Sequence, residues 1–120
     1  MNLKIDDSGN FSLLRNKFGN FFVQEKLNSS KLIPIIRDSK FVGFHKEQSN
    51  YNLVSVEFIN GVNQIVDFVY RFKSAYVWET DSNWNFVKDL KVIGVNDPEF
   101  QELKENHGVD INNDGIIGFN

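Results

Sequence analysis

The chain has no cysteine among its 120 residues, which removes disulfides, thiol nucleophiles and thiolate metal ligands together. It has no apolar run approaching the roughly 18 residues of a membrane-spanning helix. Its first residues, Met1-Asn2-Leu3-Lys4-Ile5-Asp6-Asp7, lack the apolar stretch of a signal peptide. An excess of positive charge is also missing: 13 Lys and Arg stand against 16 Asp and Glu, for a formal net charge of -3. No basic face is therefore expected to hold nucleic acid. Histidine is scarce, with only His45 and His107, so few bases are present to activate a hydroxyl nucleophile. Glycines are spread singly and none opens a helix after a strand, which excludes a phosphate-cradling loop.

What the chain does have is rings and β-branched residues. Twelve Phe and an aromatic share of 14 % point to a core built of rings, and the length suits one domain over residues 1–120. Runs rich in Phe, Val, Ile and Tyr recur at strand length between Gly, Asn, Asp and Ser. They predict strands at Asn10–Arg15, Asn20–Glu25, Leu32–Ile36, Lys40–Phe44, Leu53–Ile59, Val62–Phe72, Ala75–Thr80 and Asn85–Leu90. Asn60-Gly61 is the sharpest turn signal, since this pair favours the hairpin turn whose twist matches its strands. After it, Val66, Phe68, Tyr70 and Phe72 alternate with Asp67, Val69, Arg71 and Lys73, as one buried and one wet face. Gly9–Glu25 and Phe68–Asn85 both read as hairpins ending in aromatic strands, an internal echo without the identity of a repeat. The fold class expected is mainly β, an antiparallel meander of about eight short strands, with a β-rich core over residues 1–95 and one C-terminal helix over 97–107.

That helix carries its own signals. Asp97 is placed to cap, Pro98 suits the first helical position, and Glu99 and Glu102 set negative charge toward the positive end of the dipole. Phe100, Leu103 and His107 fall on one stripe, and Gly108 is placed to end the helix in the left-handed conformation. A calcium-type loop follows over residues 110–120. Asp110, Asn112 and Asp114 occupy the first, third and fifth places, Gly115 makes the turn, and Ile116 offers its carbonyl. The carboxylate of the twelfth place is missing, so the expected affinity is weak, roughly 10⁻⁴ to 10⁻³ M. A loop that weak fills only where calcium is plentiful, which favours an extracellular or cell-surface setting. An ordinary turn uses the same residue types, because Asp and Asn bond their own backbone and Gly tolerates positive φ.

The chain resembles the cyanobacterial tryptophan-rich domain family. The likeness is carried by G-N-F-S-L-L-R-N-K-F-G-N-F-F-V-Q from Gly9, F-I-N-G-V-N-Q-I from Phe58, Y-V-W-E-T-D-S-N-W-N-F from Tyr76 and F-Q-E-L-K-E-N-H-G-V-D-I-N-N-D-G-I-I-G from Phe100. The resemblance implies a domain that closes a large secreted or surface-associated protein, and it implies no activity. The tryptophans depart from the pattern: Trp78 and Trp84 remain, while Tyr51 and Phe68 lie near places where many members have Trp.

Residues in catalytic patterns are few. His107 sits on the apolar stripe of the helix, where a packed ring is expected, and His45 reads as a surface residue. Glu57, Asp67 and Glu79 are expected on wet strand faces, so they form no acid pair of the kind that glycoside hydrolysis needs. Asp81-Ser82-Asn83 reads as a turn with a capped backbone. The expectation is a non-catalytic accessory or interaction domain stabilised by calcium, with other domains of a surface protein or extracellular polysaccharide as partners. The alternative is a carbohydrate-binding module in which Trp78 and Trp84 stack on sugar rings.

Overall fold

The computed structural model describes residues 3–6, 9–43 and 51–115. Among the described residues ten strands lie in three sheets: β1 (Leu3–Asp6), β2 (Phe11–Arg15), β3 (Phe21–Glu25) and β4 (Asn28–Pro34) form the first, and β5 (Ile36–Arg37) with β6 (Lys40–Phe41) a small hairpin. The last sheet contains β7 (Leu53–Ile59), β8 (Val62–Val69), β9 (Ser74–Thr80) and β10 (Phe86–Gly94), and the helix α1 (Pro98–His107) follows. All named strand pairs are antiparallel. The expected mainly β architecture with one C-terminal helix is present, with ten strands in place of about eight.

Local chemistry accounts for the joints. β7 and β8 pair across Asn60-Gly61, with φ of 52° and 83° at the two turn residues, both in the left-handed region that the tight hairpin turn requires. The β5–β6 turn repeats this at Asp38 and Ser39, with φ of 55° and 64°. The β2–β3 and β9–β10 loops are built alike. Asn16 Oδ1 accepts from the backbone N–H of Phe18 and Asn20, both at 3.0 Å. Asp81 Oδ1 accepts from Asn83 and Asn85 at 2.9 and 3.0 Å. In each loop the fourth residue, Gly19 or Trp84, has positive φ. At Trp84 this swings a large ring inward between the sheets.

The second sheet is covered on both faces. Toward the first sheet it presents Val56, Ile65 and Trp78, which meet Leu13, Phe21, Val23, Ile35, Val42 and Trp84. Toward the helix it presents Val66, Phe68, Ala75 and Val77, which meet Phe100, Leu103 and Ile111. The molecule is thus sheet, sheet and helix in layers, with two apolar interiors.

Three expectations change. The strand predicted to reach Phe72 ends at Val69, and Tyr70–Phe72 form a 3₁₀ turn closed by Lys73 at φ 50°. Tyr70 and Phe72 are therefore 58 % and 60 % exposed despite the alternation that marks them as core. Glu57 and Asp67, expected on wet faces, are buried, because the stretch of β7 and β8 that carries them is covered by the first sheet on one side and the helix on the other. The rings are divided: Phe21, Phe68 and Phe100 are buried, but Phe18, Phe41, Phe58 and Phe72 are exposed. Phe44 and His45, like residues 116–120, lie outside the described residues.

Candidate cation site at the C-terminal loop

The helix begins as its sequence predicts. The Asp97 carboxylate accepts from Glu99 N–H at 2.9 Å, Pro98 occupies the first turn, and Gly108 ends the helix at φ 66°. Its buried stripe is Phe100, Leu103, Lys104 and His107, the i, i+3, i+4, i+7 spacing of one helical face. Ile111, buried just past the helix, fixes the following loop against the same core.

Beyond Ile111 the chain folds back on Lys104. The Asp110 carboxylate accepts from Asp114 N–H at 3.1 Å and Gly115 N–H at 2.7 Å, and Asn113 and Gly115 adopt φ of 57° and 89°. This closed turn aims three side-chain oxygens at one point. Lys104 Nζ stands there, 2.9 Å from Asn112 Oδ1, 2.9 Å from Asp114 Oδ1 and 3.3 Å from Asp110 Oδ1. Its side chain is 0 % exposed. Asp110, Asn112 and Asp114, singled out as metal ligands from spacing alone, are therefore brought together around a positive charge. Ile116, the fourth expected ligand, lies outside the described residues. Sequence reasoning missed Lys104, although a lysine four residues after Phe100 on an otherwise apolar stripe is a visible signal.

The donor set suits a hard cation, since carboxylate and amide oxygens are the ligands that calcium takes. It suits an ammonium as well, which has three N–H donors to place. Asp110 and Asp114 are not left as an uncompensated pair of carboxylates, because the Lys104 ammonium lies between them.

The two tryptophans expected to stack on sugar lie elsewhere. Trp78 and Trp84 are 1 % and 2 % exposed. Trp78 meets Tyr51 and Phe86 edge-on at 5.2 and 5.7 Å, and Trp84 meets Phe11 at 5.2 Å. The Arg37 guanidinium covers this cluster, 3.9 Å from the Phe86 ring centre and 4.7 Å from that of Trp78, and pairs with Asp89 at 3.6 Å. Neither indole has a free face, because both fill the interior between the sheets.

One pair imitates a catalytic arrangement. Ser55 Oγ lies 2.7 Å from His107 Nδ1, and His107 Nε2 lies 3.2 Å from Gln64 Oε1. A neutral ring with its hydrogen on Nε2 satisfies both contacts, Ser55 donating to Nδ1 and the ring donating to Gln64. Burial holds His107 neutral, with its pKa pushed down to about 4. Ser55 is 0 % and His107 2 % exposed, and an amide stands where a triad would place a carboxylate. The group ties the end of α1 to β7 and β8.

The carboxylates considered for acid chemistry are dispersed. Burial raises Glu57 to about 7, with Asp6 adding to the rise against the Asn10 N–H and Lys26. It lies beside Gly9 and His107 at an open hollow of about 380 Å³. Burial also raises Asp67, opposed by the Asn52 N–H, which donates at 2.9 Å, and by Arg37. Asp81 is lowered, chiefly by the Asn85 N–H, as the turn reading requires. Glu79 borders a different cleft, of about 440 Å³, with Asp81, Phe58 and Trp84.

Compared with known proteins, the chain matches the family described as the tryptophan-rich Synechocystis species C-terminal domain, over residues 11–118. The chain belongs to this family. No curated protein and no solved structure matches it. The match spans the D-S-N-W-N turn that buries Trp84 and the loop that surrounds Lys104, so the family region contains β2 to β10, the helix and that loop, and leaves out β1. Among the described residues no helix is long and apolar enough to cross a membrane.

Proposed function

We propose that this is a non-catalytic accessory or interaction domain of an extracellular or surface protein, whose C-terminal loop takes a calcium ion weakly. The observation that carries the reading is the convergence of Asp110, Asn112 and Asp114 oxygens on one cationic point at the end of α1. With the Ile116 carbonyl they would supply part of an oxygen shell, and calcium would neutralise the two carboxylates and tie the segment to the helix. A weak site of this kind would fill where calcium is plentiful, which favours an extracellular setting. Its partners are then neighbouring domains of the same surface protein or extracellular polysaccharide. The carbohydrate-binding alternative rests on exposed indoles, and the burial of Trp78 and Trp84 turns the balance toward the accessory reading.

Calorimetric titration of the wild type beside Asp110→Ala and Asp114→Ala tests the metal. Calcium heat in the wild type that both variants weaken, with magnesium a poor substitute, is the expected result. No heat up to millimolar calcium, or an undiminished response in both variants, would return these residues to an ordinary turn.

A further inference from the structure

Lysine ordinarily buries its stem and keeps its charged head in water, and a fully buried lysine is rare unless it is paired. Lys104 is such a case. Its side chain is 0 % exposed, and its stem is packed on the helix stripe beside Phe100, whose ring centre lies 5.8 Å from Nζ. The head meets Asn112 Oδ1 and Asp114 Oδ1 at 2.9 Å each and Asp110 Oδ1 at 3.3 Å. An ammonium has three protons to donate, so these oxygens can take all of them. The three side chains are the ones whose spacing offers a shell to calcium. A metal drawn to their midpoint meets a charge of its own sign, and like charges at such separations repel strongly where water is excluded.

We propose that Lys104 is a tethered cation that closes the C-terminal loop in place of a metal. The loop is ordered without any divalent ion, and calcium enters only by driving the ammonium out. Only this exchange of cations rests on the calcium reading; the metal-free closed loop does not. The binding-competent state is then the fraction of molecules whose lysine has left, and apparent affinity falls by that fraction. Removing the ammonium while keeping an unbranched stem, as in Lys104→Met, converts a self-closed loop into a metal-dependent one.

Amide hydrogen exchange on the full chain, in chelator and in calcium, tests this at two reporters. The N–H groups of Asp114 and Gly115 donate to the Asp110 carboxylate and report loop closure. In the wild type both amides are expected to be protected in chelator and little changed by submillimolar calcium. In Lys104→Met they lose protection in chelator and regain it with calcium, at an apparent Kd lower than the wild type's by about tenfold or more. Wild-type amides that are open in chelator and protected only by calcium overturn the proposal, and that comparison needs no substitution. Protection retained by Lys104→Met in chelator overturns it too. If Lys104→Met loses protection and neither protein binds calcium, the calcium reading and the exchange fall together, and the lysine-closed loop stands.

Discussion

At the scale of single residues, the fold depends on a few side chains that occupy backbone or space no neighbour can. Trp84 holds φ at 63°, an outlier for a bulky residue that costs about 1 to 3 kcal/mol and persists only where its surroundings fix it. The Asp81 carboxylate supplies that constraint through Asn83 and Asn85, while the buried indole offsets the strain. Asn16 performs the same task in the β2–β3 loop with a neutral oxygen. Asp81→Asn should therefore keep most of the stability, whereas Asp81→Ala should lose about 0.5 to 1.5 kcal/mol by giving up the turn's hydrogen bonds, whose exposed donors then meet water; urea melts of the two variants check this. Gly9 is the opposite case, a residue defined by absent volume. A Cβ there would fall on the Glu57 carboxyl group, which can swing into the adjoining hollow at the loss of its Asn10 N–H contact, so Gly9→Ala should cost about 1 kcal/mol or less. In a Glu57→Ala background that cost should largely vanish, and a double-mutant cycle reads the difference.

At the scale of elements, β7 and the end of α1 carry two buried titrating groups with opposite effects on stability. Glu57 rises from 4.5 to about 7 on folding, so its contribution is full below 4.5 and is lost as pH climbs toward 7. His107 falls from 6.5 to about 4, so its contribution is full above 6.5 and is lost as pH drops toward 4. Between 4.5 and 6.5 the two slopes oppose each other. Glu57→Gln should therefore grow more stable with rising pH across that window, and His107→Gln less stable; chemical denaturation at several pH values measures the slopes. Elements joined by local chemistry were legible in the sequence: the Asn60-Gly61 hairpin, the Asp97 cap and the Gly108 stop are each encoded within a few residues. What depends on distant partners was not. The pattern reads Leu32–Ile36 as one strand across the break between β4 and β5, and the turn residues Asp38 and Ser39 carry no glycine signal for the small hairpin that follows. Alternation misplaced Tyr70 and Phe72 because it does not register the 3₁₀ turn, and it misplaced Glu57 and Asp67 because a second covering layer is invisible in one strand's pattern. At the site, spacing identified the three oxygen donors but not the cation, since Lys104 reaches them only through the fold.

At the scale of the whole molecule, two apolar interiors share one central sheet, and the helix seals the outer one. Phe100 is fully buried against Phe68, with ring centres 6.0 Å apart, so Phe100→Ala should cost about 3 to 5 kcal/mol in an equilibrium melt. Positions that looked open to ligands are filled by the chain's own cations: Arg37 lies over the Trp78 cluster and Lys104 within the C-terminal loop. The central claim is that the loop's cation belongs to the protein. The most direct measurement is nitrogen-detected or proton–nitrogen magnetic resonance of the Lys104 side chain in the metal-free protein. A buried ammonium held by Asp110, Asn112 and Asp114 should show slowly exchanging protons, and should lose them to rapid exchange as calcium is added to saturation. A Lys104 ammonium that exchanges as fast as the surface lysines before any calcium is present would contradict the account.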